Sequence, residues 1–169
     1  MDIEKSSEKP FNVRGYRDAL GCFGTGVCLI LTEDDEGQVR GITANSFSSV
    51  SLHPPIILWS VDISSDRCQM FTNAKRFSVN MLRSDQRDLS SKFAVNTTAH
   101  LAEADVLRGE FGTPMLADAL GSLECETSWR QKAGDHVVIF GAVTSFVARD
   151  GEALGFFKGQ YVPLNAEKS

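Results

Sequence analysis

The chain has 169 residues, 42% of them apolar, and a formal charge of -5. That length fits a single domain, and the apolar share is ample for one packed core. The acidic balance excludes broad binding to nucleic acid or to an anionic membrane, since both need a clustered basic field.

The opening, MDIEKSSEKPF, is polar and charged and lacks the apolar stretch of a secretion signal, so residues 1–13 are expected as a flexible tail and the location as cytoplasmic. No apolar run reaches the roughly 18–20 residues that span a bilayer. Tyr16, Ala19, Leu20 and Phe23 fall at helical spacing with Gly24 behind them, which predicts an amphipathic helix over 14–23 that acts as a lid. VCLILTE (27–33) is apolar on both faces, DDEG supplies a turn, and QVRGITANS resumes as the second strand of a hairpin. IILWSVD (56–62) is a third strand, and Ser65 or Asp66 then caps a helix in which Arg67, Met70, Phe71 and Ala74 share a face. From Arg67 to Lys92 basic residues outnumber acidic ones, which fits either a local phosphate contact or a solvated helix face.

FSVNML (77–82) alternates Phe77, Val79 and Met81 with Ser78 and Asn80, the pattern of a half-buried strand. Ser84 and Asp85 start another helix, with Leu89 and Phe93 on one side. Residues 95–112 show no period and predict a surface loop or short helices, and Thr113-Pro114 reads as a helix start with Gly121 as its stop. Leu123, Cys125, Thr127 and Trp129 then alternate with Glu124, Glu126, Ser128 and Arg130, so one face of this strand is expected in water. QKAGD connects it to HVVIFGAVTSFVARD, a long strand apolar on both faces, giving a second hairpin. Several hairpins with few helices predict one mainly β domain over 14–165, an antiparallel barrel with helices packed outside, and a closing tail at 166–169. A parallel doubly wound sheet fits less well, because its glycine fingerprint is missing.

Among residues that carry chemistry, TANSFSSVS (43–51) concentrates hydroxyls, one amide and reachable backbone N–H groups with no charge, which suits a phosphate or a polar heterocycle. An ordinary Ser- and Thr-rich edge strand and turn is the plainer alternative. Gly134-Asp135-His136 puts a titratable ring at the mouth of a strand, although a surface His with no task has the same signature. His53 and His100 stand apart from it, so no metal set is expected. Cys22, Cys28, Cys68 and Cys125 lack paired spacing and are expected as reduced, buried fillers. Phe156, Phe157 and Tyr161 line either an aromatic pocket or the core.

GITANSFSSVSLHPPIILWSVD, followed by SVNML, by Gln86 to Ala94 with its Gln-x-x-Leu-x-x-x-Phe-Ala spacing, by LEC and by GDHVVIFGAV, resembles the flavin reductase-like family. The ordered match runs from about Arg14 to Tyr161. The resemblance implies a split antiparallel β-barrel of Greek-key type, a homodimer, FMN or FAD as flavin, and NADH or NADPH as electron donor. It implies a role in supplying reduced flavin, by diffusion, to a partner monooxygenase. Carried over residue by residue, Thr43, Ala44, Asn45, Ser46, Ser49, Val50 and Ser51 cradle the flavin, Asp62, Ser64 and Ser65 lie at its phosphate, and Phe93 packs on it. His136 binds the nicotinamide and Tyr161 closes the pocket. His53 departs from the family, which commonly has Asp there. Direct reduction of a bound substrate such as a corrin, or a non-catalytic flavin-binding module, remain open beside this reading.

Overall fold

The computed structural model describes residues 10–166. Part of the expected leading tail and nearly all of the closing one lie outside that range. Seven strands form the main sheet: β2 (Cys28–Glu33), β3 (Val39–Ala44), β4 (Ser48–Leu52), β5 (Pro55–Asp62), β6 (Arg76–Met81), β9 (Gly121–Ala133) and β10 (His136–Ala148). Their order is β3-β2-β6-β9-β10-β5-β4, and every pairing is antiparallel. β3 and β4 are consecutive in the chain yet sit at opposite edges. Only Asn45, Ser46 and Phe47 separate them, a span of about 14 Å at full extension. The sheet must therefore roll until its edges approach each other, which makes a barrel with a seam between β3 and β4. This is the expected split antiparallel barrel.

β1 (Thr25–Gly26), β11 (Ala153–Phe157) and β12 (Gln160–Leu164) form a small second sheet, β7 (Val106–Arg108) pairs with β8 (Pro114–Leu116), and residues of both pack into one core cluster with β2. Three short helices lie outside: α1 (Val13–Leu20), α2 (Cys68–Asn73) and α3 (Arg87–Val95).

Strand β2 explains why its sequence is apolar on both faces. Cys28 and Ile30 enter a core with Trp59, Phe77, Val79 and Ile139, whereas Leu29 and Leu31 enter a second one with Leu82, Phe93 and Leu154. Neither face meets water. Gly41 on β3 admits the second core, because a Cβ there would stand 2.9 Å from both Leu31 and the Phe93 ring. α3 can thus press close to the barrel wall. At the far end of the long hairpin, Gly134 takes a φ of 61° and lets β9 turn into β10 within two residues.

Several expectations fail here. α1 starts one residue early, ends at Leu20 and buries none of its own residues, and its C-cap Gly21 accepts a backbone hydrogen bond from Lys158. The helix expected after Thr113 is absent: Pro114 opens β8 instead, and Gly121 opens β9. β6 has no wet face. Ser78 and Asn80 are both fully buried, and Asn80 donates to Leu29 O and Ser78 Oγ while accepting from Leu116 N–H and Ser122 Oγ–H. Glu124 on β9 is likewise fully buried, and its carboxylate accepts from Phe111 N–H, Thr113 N–H and Ser145 Oγ–H. Burial pushes its pKa up, but hydrogen bonds from Thr113, Ser145 and Phe111 outweigh that and hold it below the ordinary value. Of the cysteines, all free, Cys28 and Cys125 are buried, with thiols pushed by burial up to about 12, while Cys68 is half-buried and Cys22 exposed.

Candidate active site

Where β3 ends at the seam, Val27, Thr43, Ala44, Asn45, Ala94, Phe156 and Tyr161 enclose a recess of about 190 Å³. None of these side chains is charged. A second recess of about 290 Å³ shares Val27 and Asn45 with it, and Thr25 on its wall keeps a buried hydroxyl without a protein partner. Three elements meet at the first recess, and hydrogen bonds tie them. Thr43 Oγ1 donates to Ser90 O at 2.7 Å, joining β3 to α3, and Ser90 Oγ lies 2.8 Å from the Tyr161 hydroxyl, joining α3 to β12. Tyr161 also packs edge-on against Phe156, with ring centres 5.5 Å apart, and the Arg87 guanidinium lies 5.4 Å from the Tyr161 ring centre.

The remaining hydroxyls of the 43–51 stretch follow the chain across the seam. Ser46 Oγ donates to Ser60 O and accepts from Ser60 N–H, so a side chain continues the β4–β5 ladder beyond its last backbone pair. Ser49 and Ser51 face Ile57 and Ile56 on β5, with Val50 bulged out between them and half exposed.

A second cluster forms at the opposite end of β5. Asp62 stands across from His136 in the β5–β10 ladder, six residues beyond Ile56 and so about 20 Å along the strand. His136 Nδ1 lies 2.7 Å from Asp135 Oδ1. Asp62 Oδ1 accepts both the hydroxyl and the backbone N–H of Ser64, each at 2.7 Å. Those two Ser64 bonds, and then the His136 charge, hold Asp62 below the usual carboxylate range; the hydrogen bond with His136 does the same for Asp135. Both acids are therefore anionic around the imidazole at neutral pH.

This geometry narrows one expectation and corrects another. In the Asp62–Ser65 turn a carboxylate already takes both donors of Ser64, and α2 is only six residues long, while Ser65 Oγ accepts from Arg67 N–H and keeps its own O–H to donate. Phe93 presents no surface to a ligand, because its ring is wholly buried in the core against Gly41; its neighbour Ala94 lines the recess instead. Thr43, Ala44, Asn45 and Tyr161 are brought together as expected, and Ser46 adjoins them. Sequence reasoning missed Ser90, which bridges Thr43 and Tyr161, and the contact of Asp135 with His136. The GDH tripeptide carried the signal for Asp135, whereas nothing local marks Ser90.

A family model described as a flavin reductase like domain matches residues 20–165. The chain belongs to this flavin reductase-like family. It is 39% identical over 150 residues to FMN reductase (NADH) SmoA of Agrobacterium fabrum (strain C58 / ATCC 33970), a match covering 89% of this chain and 85% of that one. It is 35% identical over 149 residues to the reductase component of flavin-dependent trigonelline monooxygenase of Acinetobacter baylyi (strain ATCC 33305 / BD413 / ADP1), covering 88% of this chain and 48% of that one. The chain thus spans about half the length of some of the curated relatives it matches. Among solved structures, flavin reductase PheA2 in its native state superposes with a TM-score of 0.82 at 36% identity, covering 92% of this chain and 100% of that one. The flavin reductase-like match includes both the seam recess and the His136 cluster. No helix among the described residues is long and apolar enough to cross a membrane.

Proposed function

We propose that this chain is an NAD(P)H-dependent flavin reductase, which brings a reduced nicotinamide to FMN or FAD and passes reduced flavin to a partner monooxygenase by diffusion. The observation that carries this reading is the uncharged recess at the barrel seam, where aromatic and small apolar walls meet the polar edge of Thr43 and Asn45. A flavin ring has the matching character: apolar on its flat faces and lined with hydrogen-bonding atoms along one edge. The two adjoining recesses together fall within the roughly 300–1,000 Å³ typical of small-molecule sites, and the partnerless Thr25 hydroxyl gives the joint cleft a further donor. When bound, the flavin supplies a two-electron acceptor, chemistry that no side chain performs.

The residues of the chain hold and orient. Thr43, Ala44, Asn45 and Ser46 take the flavin edge, Tyr161 closes the recess, and Ser49, Val50 and Ser51 extend the cradle along β4. His136, steadied by Asp135, takes the nicotinamide amide, while the Asp62 and Asp135 carboxylates suit ribose hydroxyls better than a phosphate. Holding two rings at reaction distance removes much of the entropic cost of their encounter. The name of the Acinetobacter relative, a reductase component, supports an oxygenase as the consumer.

The working form in this reading is a homodimer. α1 buries no residue, and Phe11, Phe23, Leu52 and Phe146 are each more than 70% exposed, more apolar surface than a lone chain gains from leaving in water. Steady-state oxidation of NADH and NADPH, each crossed with FMN and FAD, tests the function: at least one pairing turns over, and none doing so overturns the proposal.

A further inference from the structure

We infer that Arg67 is a positioning residue that sets the width of the seam recess. The residue is 7% exposed, and the three hydrogen-bond partners of its side chain are main-chain carbonyls on two elements that wall the recess. Nη1 donates to Gly41 O on β3 at 3.1 Å and to Phe93 O on α3 at 2.6 Å, while Nη2 reaches Ala94 O at 3.4 Å. Gly41 lies two residues before Thr43 on the same strand, and Ala94 itself lines the recess. One planar cation therefore bridges β3 and α3, the same two elements that the Thr43–Ser90 bond joins.

The chemistry of the link explains why this residue type stands there. The carbonyls at the last turn of α3 carry the negative end of the helix, so a cation is favoured beside them. A guanidinium presents donors in a rigid fork and reaches both elements at once, which a single ammonium at the end of a flexible stem does not. An ion so deeply buried without a carboxylate among those partners is costly in stability alone. Its gain is geometric: it fixes the separation of two backbones. His136 is placed by the β5–β10 ladder, and none of the Arg67 side-chain hydrogen bonds reaches it.

The inference rests on the flavin reading of the recess, and the test separates the two. Wild type, Arg67→Lys and Arg67→Met are titrated with FMN and FAD by fluorescence quenching, melted, and assayed for nicotinamide oxidation at saturating flavin. The expected result is a flavin dissociation constant raised about tenfold or more in Arg67→Met, with partial recovery in Arg67→Lys, while the KM for the nicotinamide stays within about twofold. Flavin affinity unchanged in both variants alongside a lowered melting temperature overturns the inference and leaves Arg67 a purely structural ion. If Arg67→Met does not fold, Arg67→Lys decides by the same split. A wild type that binds neither flavin overturns the reading of the recess, and this inference with it.

Discussion

Asn80, Ser78 and Ser122 in the barrel wall, and Thr43, Asn45 and Ser46 at the seam, are chemically much alike: neutral, small and rich in hydrogen-bonding capacity. Their surroundings differ. The first set is fully buried, and Asn80 spends both its amide hydrogens and its oxygen on Leu29 O, Ser78, Leu116 N–H and Ser122. In the second set Thr43 and Asn45 line open recesses and Asn45 is exposed, whereas Ser46 lines neither recess and spends its hydroxyl on Ser60. Polar side chains that exhaust their capacity inside the protein specify its packing. Those that border a cavity with capacity to spare are available to a ligand. The density of polar groups is similar in both places, so density alone does not distinguish them.

The sharpest way to break this contrast is Asn80→Ala. Removing the amide strands a buried Leu116 N–H and a buried Leu29 carbonyl together, and should cost about 3–4 kcal/mol, a fall of about 10 °C in melting temperature for a chain of this size. Flavin affinity of the protein that remains folded should not change. A calorimetric scan showing a loss below about 1 kcal/mol would mean that the interior set is not structural in this sense.

Glu124 belongs with the interior set, and its charge makes it testable by pH. Because its folded pKa lies below the ordinary 4.5, the stability it contributes is fully present above that value and is lost as pH falls through the lower folded value. Melting temperature should therefore drop on acidification below about pH 4.5, and Glu124→Gln should flatten that limb while costing about 2 kcal/mol at neutral pH. An acid limb equally steep in the variant would show that other carboxylates govern it.

On the surface side, His136→Ala should raise the KM for the nicotinamide about tenfold, or about 1.4 kcal/mol, with melting temperature nearly constant because the ring is well exposed. Unchanged kinetics would remove His136 from the site and leave only the seam recess to the functional reading.

How much of this was legible beforehand follows the same divide. Both hairpins, β2–β3 and β9–β10, stand out because period and turn residues agree locally. β8 did not, since proline supplies a fixed φ and no donor whether it opens a helix or a short strand; the partner strand β7 and the Ser78 hydroxyl on Pro114 O decide, and neither is local. The alternation in β6 and β9 was visible, but polar does not mean wet when buried neighbours complete the bonds. For the site, Thr43, Asn45 and Tyr161 were traceable through the family pattern. Arg67 was not: an arginine on an amphipathic helix looks solvated until the carbonyls it grips, 26 and 27 residues away in the chain, are in view.

The finest test of the contrast lies within a single run of serines. Ser46 Oγ bonds both the N–H and the carbonyl of Ser60, so Ser46→Ala leaves a strand-edge peptide unsatisfied and should cost about 1 kcal/mol. Ser48, two residues on, donates only to its neighbour Ser49 O at 3.2 Å from an exposed position, and Ser48→Ala should move stability by less than about 0.5 kcal/mol. Denaturant melts of the two variants compare identical chemical changes in neighbouring residues, so propensity and composition cancel. Equal costs would place the whole stretch in one environment and dissolve the distinction between structural and available hydroxyls at the seam. A difference in the expected direction ties the value of each serine to what its oxygen touches.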